Sequence, residues 1–178
     1  MTLLDGGITD NLGLRTILKA VSFSGGAQKI RGTRFKSNKA PKRLVVLVVD
    51  ASTTTENSIG KTKTLPSISD TMGAVTDIQL HLYNTETNTL LKEELINWAK
   101  VASTEEQPIT PYFINLDVTG IEKQEDRVFF NSVPTSFTLE KEQADKLIVL
   151  AKKMLRQNSE YQKLLTQLGA DTLNNHKK

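Results

Sequence analysis

Apolar side chains recur three or four positions apart in three stretches of the chain, which is the spacing of one face of an α-helix. These stretches predict helices over about 11–23, 69–100 and 140–168. The positions that carry the spacing are Leu14, Ile17, Leu18 and Val21 in the first helix, Met72, Val75, Ile78 and Leu82 followed by Leu91, Leu95 and Trp98 in the second, and Leu147, Ala151, Met154, Tyr161, Leu165 and Leu168 in the third. The pattern therefore predicts a chain built largely from amphipathic helices.

Polar residues and glycines predict where these helices begin and end. Asp10 or Asn11 can cap the amino terminus of the first helix, since a short acceptor side chain satisfies the free N–H groups there. Gly25 and Gly26 follow its last turn, and Gly169 follows the third helix. Glycine is the residue that most often terminates a helix, because it adopts positive φ without strain.

Three further segments predict interruptions of regular structure. The polar patch at 84–89 predicts a bend or a break within the second helix, and Pro108 and Pro111 predict its end. The segment 129–137 predicts an extended connection before the third helix.

Two other segments predict β-strands. The continuous β-branched run at 44–49 is typical of a strand buried on both faces, as in a parallel sheet. A second strand is predicted over 112–118. The alternation of helices and strands predicts an α/β layered domain. Because so few strands make an incomplete sheet, we expect its remaining strands to lie upstream of Met1.

The amino-acid composition excludes several kinds of functional site but does not identify a function. The chain has 178 residues, enough for one domain, and a net charge of +3, which does not by itself indicate nucleic acid. It has no cysteine and two histidines, so disulfides, thiolate metal sites and a cysteine nucleophile are excluded and a histidine-rich metal site is not expected. Neither a transmembrane run nor a signal peptide is present in the sequence.

The most specific chemistry lies at 3–14, which reads Leu-Leu-Asp-Gly-Gly-Ile-Thr-Asp-Asn-Leu-Gly-Leu. A short apolar run ends at Asp5, Gly6 and Gly7 follow, and the first predicted helix comes next. The glycines give the backbone positive φ and little bulk, which a carboxylate at a strand-end turn requires to approach another group. Asp10 is predicted to cap the helix rather than to react.

This segment closely resembles the Asp-Gly-Gly block of patatin-like phospholipases. The strand ending in Val49-Asp50-Ala51 resembles the strand that follows the block in bacterial members. The segment 133–139 and the helix with Leu155, Asn158, Tyr161 and Leu165 resemble their carboxyl-terminal helix. The resemblance implies that residues 1–173 are the carboxyl-terminal portion of a three-layer α/β/α domain, with a disordered tail at 174–178.

In that family a serine–aspartate dyad hydrolyses lipid acyl esters, without a metal or cofactor. The resemblance places the dyad aspartate at Asp5, with Gly6 and Gly7 as motif support. The family's serine lies in a Gly-x-Ser-x-Gly elbow, and a glycine-rich loop forms the oxyanion hole. Neither occurs in the 178 residues: Ser24 and Ser58 lack the glycine two positions before them. We therefore expect lipid ester hydrolysis only together with a serine-bearing half, and no esterase activity in the isolated chain.

Two alternatives stay open beside this hypothesis. The sequence is also compatible with an inactive split-gene remnant that serves at most as a binding or assembly module. The basic segment 29–43 is interpreted first as a solvated loop, and Lys36, Lys39 and Lys42 as candidate contacts to anionic lipid, with nucleic acid as a weaker option.

Three other features are interpreted as structural. The segment 60–62 lacks the glycine and the preceding strand of a P-loop. His81 is predicted to have a structural or surface role. Trp98, Phe129 and Phe130 are predicted to pack in the core or at a sheet edge.

Overall fold

The computed structural model describes residues 10, 12–30, 41–52, 65, 67–134, 136 and 138–169. In chain order, the elements within them are helix α1 (Leu14–Phe23), a 3-10 turn (Ala27–Ile30), strand β1 (Arg43–Val49), helix α2 (Ile68–Ala102), strand β2 (Thr110–Leu116), a second 3-10 turn (Val118–Gly120), and helices α3 (Gln124–Ser132), α4 (Lys141–Gln157) and α5 (Ser159–Gln167). The prediction of a mixed α/β fold is confirmed.

Helix α1 ends where the two glycines predict that it should end. Gly25 and Gly26 have φ of 96° and 79°. The N–H of Gly26 donates to the carbonyl of Val21 at 2.9 Å, and that of Gly25 to the carbonyl of Ser22 at 3.2 Å. This pair of hydrogen bonds is the Schellman motif, which closes a helix by turning the chain through positive φ.

Strands β1 and β2 pair in parallel. At one end the N–H of Thr110 donates to the carbonyl of Lys42 at 3.0 Å, and at the other the N–H of Asp50 donates to the carbonyl of Leu116 at 2.8 Å. Parallel neighbours require a long crossover connection, and α2 lies within the one that joins these strands. Both predicted strands are confirmed, although β2 begins two residues earlier than expected.

The prediction that the first strand is buried on both faces is wrong. Val48 is 4% exposed, but Val45, Leu47 and Val49 are 44%, 51% and 62% exposed. Burial therefore alternates along β1, as in a sheet covered on one side. A β-branched run reflects the preference of those residues for extended backbone, and it does not reveal how many layers cover the strand.

Helix α2 is longer and more continuous than predicted. It runs unbroken through the polar patch, where the hydroxyls of Thr85 and Thr89 each donate to the carbonyl four residues earlier, at 2.9 and 3.0 Å. It also ends at Ala102, well before Pro108. Ser103 ends it: its N–H and Oγ both bond to the carbonyl of Ala99, and its Oγ accepts the N–H of Ile109 at 2.9 Å.

The segment after β2 corrects another expectation. Residues 124–132 form helix α3, so the predicted extended connection at 129–137 is wrong over its first four residues. Glu125 and Asp126 lie in the first turn, where the helix dipole favours acidic side chains. The Nζ of Lys146 lies 4.0 Å from the centre of the Phe129 ring, so this aromatic residue packs against α4.

The predicted single helix over 140–168 is two helices, because the chain is extended at Asn158 (φ −69°, ψ 121°). Glu140 caps the first of them, with Gln143 completing a capping box. Gly169, with φ 69°, closes the second as predicted.

Residue contacts divide the chain into two compact units. The first unit comprises Met1–Leu44 and Thr54–Pro111, and one of its apolar clusters consists of Ala99, Ala102 and Ile109 with Leu44 against them. The second unit comprises Val45–Thr53 and Tyr112–Lys178, and its core consists of Tyr112, Ile114, Leu116 and Leu164 with Met154, Leu155 and Tyr161 around them. Among the described residues, no helix has the length and apolar content that crossing a membrane requires.

Candidate functional site

The residues that the sequence singles out for catalysis lie outside the described part of the chain. These are Asp5, Gly6 and Gly7, and the same holds for Lys36 and Lys39. The structure therefore leaves the dyad assignment a prediction.

Other predicted features also fall in parts of the chain that the structure does not describe. The segment 60–62 and the predicted tail at 174–178, which contains His176, also lie outside the described residues. Lys42 is described: its side chain is exposed, and its backbone carbonyl accepts the N–H of Thr110 next to β1.

Asp10, the second acid of the Asp-Gly-Gly block, has a structural role. Its carboxylate accepts the N–H of Arg15 at 3.3 Å and the N–H of Thr16 at 3.1 Å, and it also accepts the Thr16 hydroxyl at 3.2 Å. These are N–H groups of the first turn of α1, which have no partner within the helix. Asp10 caps the first turn as predicted, but it does so from three residues before Gly13, which is the N-cap residue of α1. The helix predicted from about Asn11 begins at Leu14.

The carboxyl ends of β1 and β2 place polar groups at one edge of the sheet. After β1, the carboxylate of Asp50 accepts the N–H of Ser52 at 2.9 Å. At the end of β2, the side-chain amide of Asn115 donates to the carboxylate of Asp117 at 2.7 Å. In open α/β sheets, ligands bind outside this edge. The sequence places Asp50 at the end of the first predicted strand and Asn115 and Asp117 within the second, and it predicts no functional role for any of the three.

Asn158 ties the third predicted helix to this edge. Its Nδ2 donates to the backbone carbonyl of Asn115 at 3.1 Å, and its Oδ1 accepts the N–H of Tyr161 at 3.1 Å. A sequence signal for this role exists: an asparagine within a helical pattern competes for backbone groups and favours a cap over a helix interior. The helical spacing of the apolar residues on both sides of Asn158 favours one continuous helix, which is why the sequence did not predict this cap.

The hydrogen bond from Ser52 to Asp50 is a backbone contact that shapes the chain after β1. The contact between Ser52 and Asp50 uses the backbone N–H of the serine, so it forms a turn. A nucleophilic serine instead needs its hydroxyl aimed at a base, with donors aimed at the developing oxyanion.

A hydroxyl–carboxylate contact of that kind does occur at the start of α2. The Oγ of Ser67 donates to the carboxylate of Asp70 at 2.7 Å, and the N–H groups of both residues bond reciprocally to the other side chain. The hydrogen bonds from Ser67 lower the pKa of Asp70 from its ordinary value of 3.8. A lower pKa makes a carboxylate a weaker base, and the pair is exposed to water, so this is a capping box and not a catalytic dyad.

Metal chemistry has no counterpart among the described side chains. Within the described ranges, no cluster of three His, Asp or Glu side chains is close enough to hold an ion. His81 is exposed on α2, as the prediction of a surface role expects.

The first unit contains a groove of about 630 Å³ between the end of α1 and the second half of α2. It is lined by Leu18, Val21, Ser22, Gly25, Gly26, Ala27, Leu90, Glu94, Asn97, Trp98 and Val101. Among these described lining residues Glu94 is the one that carries a charge, and Trp98, which is 7% exposed, forms part of the wall. The volume lies within the range of ligand sites. The sequence predicted that Trp98 packs in the core or at a sheet edge, and the structure places it in the core. The sequence did not predict the groove.

Comparison with known proteins finds no family model, no curated protein and no solved structure that matches the chain. A functional assignment therefore depends on the residues themselves.

Proposed function

We propose that this chain contributes the aspartate of a patatin-like lipid acyl hydrolase. Asp5 is the proposed base, and the serine elbow and oxyanion loop come from residues outside these 178. In the proposed reaction the serine oxygen attacks the ester carbonyl while Asp5 takes the proton of the serine hydroxyl. The proton then passes to the leaving alcohol, and water hydrolyses the acyl-serine with Asp5 again as base.

The observation that carries the proposal is the block at 3–14 together with the role found for its second acid. The block contains Asp5 and Asp10, and the carboxylate of Asp10 is engaged in capping α1. Asp5 is therefore the acid of the block that is left for chemistry. The mixed α/β fold with a parallel strand pair is compatible with the proposed domain.

The proposed role makes a demand on the surroundings of Asp5. A carboxylate with an ordinary pKa is a poor base at neutral pH, so partial desolvation must raise its pKa. The exposed Asp70 has the opposite environment, since hydrogen bonds from Ser67 lower its pKa. A second half of the enzyme that covers Asp5 would supply the desolvation as well as the serine.

The first experiment measures hydrolysis of a p-nitrophenyl acyl ester by the isolated chain. We expect no rate above that of buffer, because a base without a nucleophile and an oxyanion hole gives little catalysis. Hydrolysis that disappears in Asp5→Asn would contradict the proposal, since the chain would then contain its own nucleophile.

The second experiment supplies the missing half. The serine-bearing segment of a patatin-like hydrolase, ending before its own Asp-Gly-Gly block, is fused ahead of Met1. Labelling by a fluorophosphonate probe, which reacts with activated serines, is compared with that of the segment alone. We expect faster labelling of the fusion and no gain in its Asp5→Asn variant. A folded fusion that labels no faster than the segment alone would contradict the proposal.

We also propose that the basic segment 29–43 contacts anionic lipid, because contact with a membrane fits a lipid hydrolase better than contact with nucleic acid does. Replacing Lys36, Lys39 and Lys42 by Gln should weaken binding to phosphatidylserine vesicles at least about tenfold, since each lysine near such a surface contributes about 1 kcal/mol. The matched control replaces three exposed lysines elsewhere, Lys92, Lys100 and Lys152, and should have a smaller effect. Equal losses in the two triple variants would indicate net charge alone.

A further inference from the structure

The first half of α2 presents a row of exposed aliphatic side chains. This row, the exposed stripe, consists of Ile68, Met72, Val75, Ile78 and Leu82. Each is more than half exposed, from 53% at Val75 to 82% at Ile68. Single exposed apolar residues are ordinary on protein surfaces, but a contiguous set on one helix face marks an interaction site.

The exposed stripe lies on the opposite side of α2 from the face that packs within its own unit. The buried residues of the helix are Asn84, Thr87, Leu91, Leu95, Trp98, Ala99 and Ala102. At about 100° per residue, the exposed stripe spans about 120° of the helix surface, and the centre of the buried set lies about 175° away. The exposed stripe is therefore not an extension of the core, and covering it requires a further partner.

The start of α1 contacts α2 at the border of the exposed stripe. The guanidinium carbon of Arg15 lies 4.3 Å from the centre of the Tyr83 ring. Tyr83 directly follows Leu82, and at about 100° per residue it lies between the exposed stripe and the buried face. The backbone N–H of Arg15 is one of the groups that the carboxylate of Asp10 accepts. Asp10 is therefore held near this end of the exposed stripe.

The position of Asp10 limits where a partner can meet Asp5. Asp5 lies outside the described residues, but it precedes Asp10 by five residues, and an extended chain of that length spans at most about 18 Å. The exposed stripe is about 21 Å long, at about 1.5 Å per residue. A standard interface covers about 800 Å² of each partner, a patch roughly 30 Å across. One partner can therefore cover both Asp5 and the exposed stripe.

The charges on this half of α2 disfavour two other occupants, a second copy and an anionic membrane. Between residues 64 and 91 the chain has no Lys or Arg and three acids, Asp70, Asp77 and Glu86. Two copies paired through the exposed stripe would bring equal negative charges together. Thr71 and Thr85 would also lie where a two-stranded coiled coil has leucine. An anionic lipid surface would repel the same acids.

We propose that the exposed stripe is the surface on which the serine-bearing half of the hydrolase docks. This inference rests on the proposed function, which requires such a half next to Asp5. Glu86 is exposed and continues the line of the exposed stripe beyond Leu82, so the partner's matching surface is apolar with a basic rim. Docking on α2 holds the serine within reach of Asp5 and shields the Asp5 carboxylate from water.

Thiol reactivity reports whether the exposed stripe is covered, because the natural chain has no cysteine. Ile78→Cys places one thiol in the exposed stripe, and the control Lys92→Cys places one at an exposed position about 21 Å farther along α2. Both are made in the isolated chain and in its fusion to a cysteine-free serine-bearing segment, and the rate of reaction with a maleimide is measured. Position 78 should react at least about tenfold more slowly in the fusion, and position 92 at an unchanged rate.

Equal rates at position 78 in the isolated chain and in the folded fusion would overturn the proposal. A rate constant in the isolated chain that falls as its concentration rises would also overturn it, because a second copy would then cover the exposed stripe. Val75→Glu, added to the Ile78→Cys fusion, should restore the fast reaction, since it places a charge in the apolar contact. Lys92→Glu should not. Because Val75 is exposed, circular dichroism of the isolated Val75→Glu chain should report the same helix content.

The thiol measurement separates this inference from the hydrolase proposal. Asp5→Asn in the fusion should remove the gain in fluorophosphonate labelling and leave position 78 protected. Protection without labelling that depends on Asp5 would support the docking surface and contradict the hydrolase proposal. Labelling that depends on Asp5 without protection would overturn the docking surface and leave the hydrolase proposal in place.

Discussion

Asn158 divides a helical stretch that its neighbours would otherwise continue. Its side chain satisfies a carbonyl at the end of β2 and an N–H at the start of α5, so one residue joins the sheet edge to the last two helices. The apolar positions on both sides keep helical spacing, which is why the sequence predicted one helix. The contact with Asn115, 43 residues earlier, is tertiary, and no local pattern contains it.

Replacing Asn158 by alanine should lower the free energy of unfolding by about 1–3 kcal/mol, since a cap and a half-buried hydrogen bond are lost together. Asn158→Ser should recover part of this loss, because serine caps a helix but is too short to reach Asn115. Urea denaturation measures the difference, and Ser159→Ala, at an exposed neighbour, is the control. Equal stabilities of the serine and alanine variants would mean that the cap contributes nothing.

Asp70 gives a prediction about pH. Its pKa is lowered in the folded state by the hydrogen bonds from Ser67, so the ionised form stabilises the fold. This contribution to stability is complete when the pH is above 3.8, the ordinary pKa of the group. It is lost as the pH falls through the lower pKa of the folded state. The difference in melting temperature between the natural chain and Asp70→Asn should be constant near neutral pH and shrink below about pH 4. A difference that grows on acidification would contradict this assignment.

Helix α2 shows what periodicity can and cannot predict at the scale of an element. The apolar spacing correctly predicted a long helix and two stripes. It did not predict that the stripe of Met72, Val75, Ile78 and Leu82 is exposed while that of Leu91, Leu95 and Trp98 is buried. Nor did it predict that the buried face begins with the polar residues Asn84 and Thr87, which are 3% and 2% exposed. Judged by spacing alone, the polar patch at 84–89 predicts an interruption of the helix. Whether a polar side chain is buried depends on tertiary packing, and the spacing of residues in the sequence does not show that packing.

The two stripes of α2 should differ sharply in their sensitivity to truncation. Leu91→Ala should cost about 2–5 kcal/mol, because its side chain is fully buried and leaves a cavity. Leu82→Ala, at a position 54% exposed, should cost less than about 1 kcal/mol. Chemical denaturation of both variants measures this. Similar losses would mean that Leu82 is covered in the folded chain.

At the scale of the whole molecule, the sequence predicted the α/β class, both strands and the main helices. It missed α3, whose nine residues carry no strong apolar spacing, and it overestimated the burial of β1 because strand propensity does not reveal the layers around a sheet. One prediction about the candidate site can be compared with the described residues: Asp10 caps the first turn of α1, as expected. The groove beside Trp98 was not predicted, since its walls come from two helices far apart in sequence.

The proposal that Asp5 is the base of a serine–aspartate dyad is tested most directly by the ester hydrolysis rate of the serine-segment fusion. Asp5→Asn should lower kcat/KM for a p-nitrophenyl ester by about 100- to 10,000-fold, the usual contribution of a general base. Asp10→Asn should keep most of the rate, because the one side-chain oxygen of asparagine can still accept one of the two N–H groups at the start of α1. An active fusion in which Asp5→Asn and Asp10→Asn lose activity equally, or in which neither does, would contradict the proposed role of Asp5.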